Sequence, residues 1–441
     1  MRTYWRRASQ LIFLAIFIYL FYITQYPLDF SHTNILVRLS PLVMATNALI
    51  THSFSLKFIP AILIIIVTIF LGRVFCGWVC PVGTLLDLVP KTKKRLSYIK
   101  LKYYILVFLI IVSALGFNLL VITDPLVIFT RSLTFITQVT PPVVFIIIMG
   151  LVAVLGERYW CRVLCPLGAL LGVCSSGKVV NLHIGETCTH CNICTTVCPM
   201  DAIHSNTISK TECTLCLKCI EKCPKNTITI SLGNPSKPLQ SASRRTFLKA
   251  GIAAGAALVL SPLLKAQTTH IPVIRPPGAL KEENFLSVCI RCGECMRVCP
   301  SQGLRPVLFE GSLYSLYTPK LVPRIGECQL CMLCWQVCPT GALIEVDPAK
   351  MKLGTATVNR DTCLVWDLNE TCWICQEVCP YQAVESAGGE RRGQRHGAEE
   401  GEERRGPKVN RSLCAGCGTC ENKCPVEPAA ITVSPEGEIR Y

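Results

Sequence analysis

The chain has 441 residues, 51% of them hydrophobic, with 29 cysteines and a formal net charge of +15. That length exceeds one small domain, and cysteines that repeat one spacing with proline behind them exclude a secreted disulfide scaffold. The positive charge does not mark a nucleic-acid binder, because many of the basic residues flank apolar stretches, where they set orientation.

Four stretches are predominantly apolar: Ala8–Tyr26, Phe58–Leu71 running on towards Trp78, Tyr104–Ile122, and Pro142–Trp160. Each is near the ~20 residues that a helix needs to cross a bilayer. Arg2, Arg6 and Arg7 precede the first stretch, and Lys91, Lys93, Lys94, Arg95, Lys100 and Lys102 lie between the second and third. The other two connections carry only Arg38 with Lys57, and Arg131. This bias predicts that the N-terminus, the Lys91–Lys102 loop and everything directly after the fourth stretch face the cytoplasm. The first stretch is not a cleaved signal peptide, since it lacks a small-residue cleavage site and three more follow. The pattern predicts an integral-membrane α-helical bundle of four spans over residues 1–177.

The spans form a duplicated hairpin. RVFCGWVCPVGTLL (Arg73–Leu86) and RYWCRVLCPLGALL (Arg158–Leu171) align at a spacing of 85, and PLV recurs at Pro41–Val43 and Pro125–Val127. Matched repeats imply equivalent units. Cys76, Cys80, Cys161 and Cys165 are therefore predicted to converge at the cytoplasmic end, each pair sharing one helix face. They could hold a metal or a cluster, form a reversible dithiol, or merely pack the bundle end. Cys174 has no partner in the repeat and reads as structural. Neither a C-x2-C-H, a P-loop nor a strand–GxGxxG–helix is present, which leaves no covalent haem, nucleotide or flavin site.

Residues 178–235 contain CTHCNICTTVCP and CTLCLKCIEKCP, both C-x2-C-x2-C-x3-C-P. This spacing wraps three thiolates round one face of an iron–sulfur cube, and the fourth cysteine crosses to the neighbouring cube. The predicted ligand sets are Cys188, Cys191, Cys194 and Cys223, and Cys213, Cys216, Cys219 and Cys198. Structural zinc would take two separated C-x2-C pairs instead. Oxidised cubes with four thiolates each add ~2 negative charges, so six of them would bring the chain close to neutral.

Residues 236–268 begin with a polar linker and continue as SRRTFLKAGIAAGAALVLSPLLKA. The Arg244–Arg245 pair before a mild apolar run resembles a twin-arginine export signal, with a fifth span or a buried helix as the alternatives. Residues 269–441 add four more cluster motifs. Cys289/Cys292/Cys295/Cys299, Cys328/Cys331/Cys334/Cys338 and Cys414/Cys417/Cys420/Cys424 keep the regular spacing. Cys363/Cys372/Cys375/Cys379 has an enlarged first gap, predicted to lift a Trp366-containing loop over its cluster. The longer spacers leave open which motifs exchange a fourth cysteine. Glu385–Lys408 is glycine, arginine and glutamate in low complexity, a solvated loop with a docking role as the alternative. The C-terminal half is predicted to fold as α+β bacterial-ferredoxin-like domains.

Residues 1–235 resemble NapH, the membrane component of a quinol dehydrogenase, in their spans, C-x3-C-P motifs and two-cluster ferredoxin. Residues 236–441 resemble its exported partner NapG, in the twin-arginine leader, four motifs and the enlarged gap of the third. The NosR/CcoG and MauM/MauN groups are similar too. The resemblance implies a fusion in the inner (cytoplasmic) membrane of a bacterium or archaeon, with its C-terminal ferredoxin domain on the periplasmic side. It implies six [4Fe–4S] clusters, menaquinol or ubiquinol as donor from the quinone pool, and a periplasmic multihaem cytochrome or terminal reductase as acceptor. The alternatives are an outward conduit from cytoplasmic ferredoxin, and a metal-reducing assembly factor acting through Cys76, Cys80, Cys161 and Cys165. No residue is assigned to quinol; Asp124, Arg131 and His52 read as solvated loop residues.

Overall fold

The computed structural model describes residues 2–24, 35–88, 101–119, 123–138, 158–204, 207–232, 255, 273–308, 310, 313–368, 370–386 and 406–441. Most of the fourth apolar stretch, the basic loop up to Lys100, the twin-arginine segment and the interior of the Glu385–Lys408 stretch lie outside the described residues. The chain divides into two compact units, Met1–Lys265 with Ile290–Cys292, and Ala266–Cys289 with Gly293–Tyr441.

The first unit joins a helical bundle to a small ferredoxin. Among the described residues, one helix, Thr3–Ile23, is long and apolar enough to cross a membrane. The second apolar stretch yields the shorter helix Leu56–Leu71, which stops at Gly72. The third yields Leu101–Ala114 and ends well before Ile122. Tyr4, Leu11, Ile12, Tyr19, Leu63, Ile66 and Phe70 are exposed, whereas Phe17, Phe21, Ala61 and Ile64 are buried. The helices thus turn apolar side chains both inward and outward.

The PLV echo starts two helices, Pro41–Thr51 and Pro125–Gln138. Ser40 caps the first, accepting from Val43 N–H, and Asp124 caps the second, accepting from Leu126 and Val127 N–H. The two caps meet, with Ser40 Oγ donating to Asp124 Oδ2 at 2.6 Å. Asp124 is fully buried, which corrects the solvated reading: two backbone N–H groups and a hydroxyl satisfy it. His52 is exposed at the end of its helix, as expected.

The ferredoxin of this unit pairs Val180–Ile184 with Ile228–Leu232 antiparallel, and sets the short helices Ile193–Val197 and Lys218–Lys222 between them. In the second unit Thr355–Val358 pairs with Ile431–Ser434, Leu304–Pro306 with Pro319–Leu321, and Val384–Ser386 with Pro407–Val409, all antiparallel. Their function is to hold loops: each cysteine motif is a loop and one helical turn braced by such a hairpin.

Candidate metal centres

In the first ferredoxin, Cys188, Cys191, Cys194 and Cys223 line one cavity of about 390 Å³. Cys198, Cys213, Cys216 and Cys219 line another of about 340 Å³. Each fourth cysteine therefore sits with the other motif, the arrangement read from the spacing. The second unit repeats it. Cys363, Cys372, Cys375 and Cys424 line a cavity of about 370 Å³, and Cys379, Cys414, Cys417 and Cys420 one of about 330 Å³. Cys299 joins Cys328, Cys331 and Cys334, being an electrostatic neighbour of Cys328 and Cys334. The enlarged motif keeps three of its own cysteines and takes the fourth from the last motif. Trp366 packs with Cys372 and Cys424 as expected, its indole under the Arg360 guanidinium at 4.5 Å and donating to Pro407 O.

These cavities fit a cube. Among the described residues no three Cys, His, Asp or Glu side chains converge tightly enough for a single metal ion; the thiols ring a space instead. The backbone fits as well. His190 and Asn192, Leu215 and Leu217, Leu330 and Met332, and Gly416 and Gly418 all adopt positive φ at the same two places in their motifs. Left-handed residues alternating with right-handed ones gather N–H groups into an anion-binding concavity, which offsets the strain of non-glycine residues there. Burial among other thiols pushes Cys198 up to about 11 and Cys219 up to about 12. The Thr227 hydroxyl, by contrast, lowers Cys223.

The C-x3-C-P cysteines are all buried in one core, but not as two α-helical pairs. Phe75–Val79 and Trp160–Leu164 are single π turns, closed by Cys80 N–H to Phe75 O at 2.9 Å and Cys165 N–H to Trp160 O at 2.8 Å. Proline then starts a new helix, Pro81–Leu88 or Pro166–Cys174, where its missing N–H costs nothing. Cys165 caps its helix, its Sγ accepting from Gly168 N–H at 3.2 Å. The extra residue in the turn, not a shared helix face, brings each pair inward. Cys174 ends the second helix, half-buried.

Two arginines cross between the repeats. Arg158 donates to Cys76 O and Gly83 O of the first repeat, at 3.3 Å each, and forks onto Asp87 at 2.7 Å twice. Burial alone would raise Asp87, but Arg158, Arg6 and Gln10 together hold it at about 2. Arg73 lies against the second repeat, where a Cβ on Gly168 would come within 2.7 Å of its Nη2. Its Nη1 donates to Glu212 at 2.8 Å, while Nε and Nη2 are buried without a hydrogen-bond partner. A buried, half-satisfied guanidinium beside Cys76 and Cys165 fits an anionic group held by the four thiols. The repeated arginine was visible in both motifs; Glu212 has no counterpart in the repeat and carried no signal.

A family model described as a 4Fe-4S binding domain matches residues 57–98 and again 137–179, one C-x3-C-P motif in each. A 4Fe-4S dicluster domain matches residues 288–342 and 370–427, and a further 4Fe-4S binding domain matches 185–201. The methylamine utilization ferredoxin-type protein MauM of Methylorubrum extorquens is 37% identical over 213 residues, which cover 45% of this chain and 92% of MauM. The ferredoxin-type protein NapG of Escherichia coli is 36% identical over 203 residues, covering 44% of this chain and 85% of NapG. The putative electron transport protein YccM of Escherichia coli is 27% identical over 289 residues, covering 56% of this chain and 80% of YccM.

Proposed function

This chain belongs to the MauM/NapG family of ferredoxin-type iron–sulfur proteins, and we propose that it is a quinol-oxidising component that carries electrons outward across a membrane. It is an electron-transfer protein with several 4Fe-4S sites. The finer reading is a NapH-like membrane unit with a cytoplasmic ferredoxin, fused to a NapG-like unit exported by the twin-arginine segment. The observation that carries it is the first unit itself. The same body that gathers eight ferredoxin cysteines and the C-x3-C-P quartet also exposes apolar faces on Arg2–Ile23 and Ile59–Leu71, surfaces that suit lipid better than water.

Bound cubes supply one-electron steps. A quinol gives up two electrons and two protons, so a series of one-electron sites suits it as an outlet. The chain's own contribution is to fix the sites near one another and to tune them with N–H···S bonds, such as Ala202 N–H to Cys198 and Ala383 N–H to Cys379, both 3.3 Å. Six cubes would take all 24 motif cysteines, with Cys289, Cys292, Cys295 and Cys338 as the remaining set. The quartet Cys76, Cys80, Cys161 and Cys165 is a further site of its own. The acceptor is a periplasmic cytochrome or reductase. Anaerobic reduction by menaquinol or ubiquinol, followed by electron paramagnetic resonance, tests this reading. Full cluster reduction in quinone-stripped membranes without added quinol would refute it.

One observation favours a second reading. Cys191 is exposed, so the Cys188/Cys191/Cys194/Cys223 site lies open to a soluble partner. Reduction by a dithionite-reduced ferredoxin, but not by quinol, would make a cytoplasmic ferredoxin the donor.

A further inference from the structure

The two C-x3-C-P repeats match in cysteine, proline and arginine but not in the acid that receives each arginine. Asp87 of the first repeat takes Arg158. The residue 85 positions on is Gly172, so the second repeat offers Arg73 no carboxylate. Glu212 is the acid there, from the ferredoxin, directly before Cys213. It accepts from Arg73 Nη1 and Tyr103 Oη, each at 2.8 Å, and from Lys102 Nζ, and it is 5% exposed. Arg73 and Lys102 are wholly buried around it. Gly172 makes the room: a Cβ there would lie 2.9 Å from Tyr103 Oη and 3.1 Å from Thr211 O.

The same segment is seated on the first repeat. A Cβ on Gly77 would stand 2.7 Å from Thr214 O, and Trp78 Nε1 donates to Leu215 O at 3.1 Å. Across from it, Arg162 pairs with Asp201 at 3.5 Å. Each crossing arginine therefore stands between the quartet and one ferredoxin site. Arg73 has Cys76 and Cys165 as charged neighbours and is itself a neighbour of Cys213. Arg158 has Cys161 and Cys216. Cys213 and the quartet share one core, whereas Cys194 and Cys223 pack in another.

We infer that Glu212 serves as the second repeat's missing carboxylate, and so fixes the Cys198/Cys213/Cys216/Cys219 site as the one that exchanges electrons with the C-x3-C-P quartet. Glu212 is a positioning residue: it touches no ligand atom, moves no proton, and no bond is made or broken when an electron passes. The inference rests on the electron-transfer reading but not on quinol.

The test uses the full chain in detergent, titrated anaerobically with dithionite and followed by electron paramagnetic resonance. Glu212→Gln removes a negative charge beside two cations. It should keep full iron, shift one midpoint potential upward, and leave the C-terminal clusters unchanged. A Cys191→Ser background removes the other ferredoxin cluster, so the shifted signal must survive in it. Unchanged potentials at full iron, or a shift that vanishes in that background, would overturn the inference. A merely structural role would lower stability without a selective shift. If the glutamine variant loses iron, Gly172→Leu decides. Pushing Thr211 away should open residues 175–211 to protease and shift the same signal, and an unchanged digest and titration would overturn the inference. Should quinol fail to reduce the wild type, the functional reading falls while the dithionite titration still reads Glu212.

Discussion

The first ferredoxin pair and the last pair solve the same problem across very different spacers. Fourteen residues separate Cys198 from Cys213, and 34 separate Cys379 from Cys414. In both, the fourth cysteine leaves its own motif, and Cys198 and Cys379 each accept an N–H from the residue four further on, at 3.3 Å. The crossing is thus decided at the Cys-Pro step. A short helix ends at Cys198 in an extended conformation, because the proline behind it disfavours a further helical turn. Spacer length has no part in it. The pairs differ where the enlarged gap intervenes: Asn192 is left-handed at φ 58°, while Trp373 at the matching place has φ −123°.

The largest effect that could break this equivalence comes from the crossing cysteines. Cys424→Ser should cost about four irons per chain and extinguish the site of Cys363, Cys372 and Cys375, leaving its own motif's cluster intact. Cys379→Ser should do the reverse. Iron analysis with paramagnetic resonance reads both, and loss of the mutated motif's own cluster would mean that no exchange occurs. Next is a contrast inside the first pair. In the apo-protein at pH 8, Cys223, lowered by Thr227, should be alkylated roughly 100-fold faster than Cys198, which burial holds near 11. Raising the pH towards 11 should close that gap, since Cys198 then gains thiolate while Cys223 is already ionised. Mass spectrometry of labelled peptides measures it, and equal rates at pH 8 would remove the distinction.

These contrasts also show what could be read from the chain beforehand. The ligand sets of the first pair were legible because two motifs lie close together and each spacing specifies three ligands on one face. The last pair was not, since nothing in the sequence states which motif a distant fourth cysteine will meet. The quartet's gathering followed from the repeat, but its π turns did not: a four-residue spacing implies an ordinary helix face, and the proline that forces the extra residue reads first as a helix stop. Asp124 looked like a loop residue because its partner, Ser40, is 84 positions away. Glu212 was invisible for the same reason, its three partners lying more than 100 residues back.

A smaller effect tests how far the loop conformation is shared. Gly418 stands where Asn192 and Leu217 stand in the first pair, at φ 82°. A Cβ there would meet Pro323 Cβ at 2.5 Å as well as the left-handed penalty. Gly418→Ala should cost roughly 2 kcal/mol, and Asn192→Ala, exposed and merely left-handed, roughly 1 kcal/mol. Thermal unfolding of the reconstituted protein separates them, and equal costs would show that the close approach to Pro323 carries no weight.

The smallest effect is the one that the equivalence predicts to be nil. Ser386 pairs with Pro407 across the hairpin that leads from Cys379 to Cys414, so the two ends of the low-complexity stretch already meet. Replacing residues 387–405 by a single asparagine leaves Asn-Gly406 as a two-residue turn, the sequence that a tight hairpin favours. Gly406 must stay, because a Cβ there would lie 2.3 Å from the Trp366 indole. The spacer would then resemble that of the first pair, and iron content, paramagnetic spectra and midpoint potentials should all remain those of the full chain. Delivery to the acceptor should be unchanged too if the stretch has no docking role. Loss of the Cys379 or Cys424 cluster in this variant would show that the insert, and not the Cys-Pro step, holds the exchanged ligands in place.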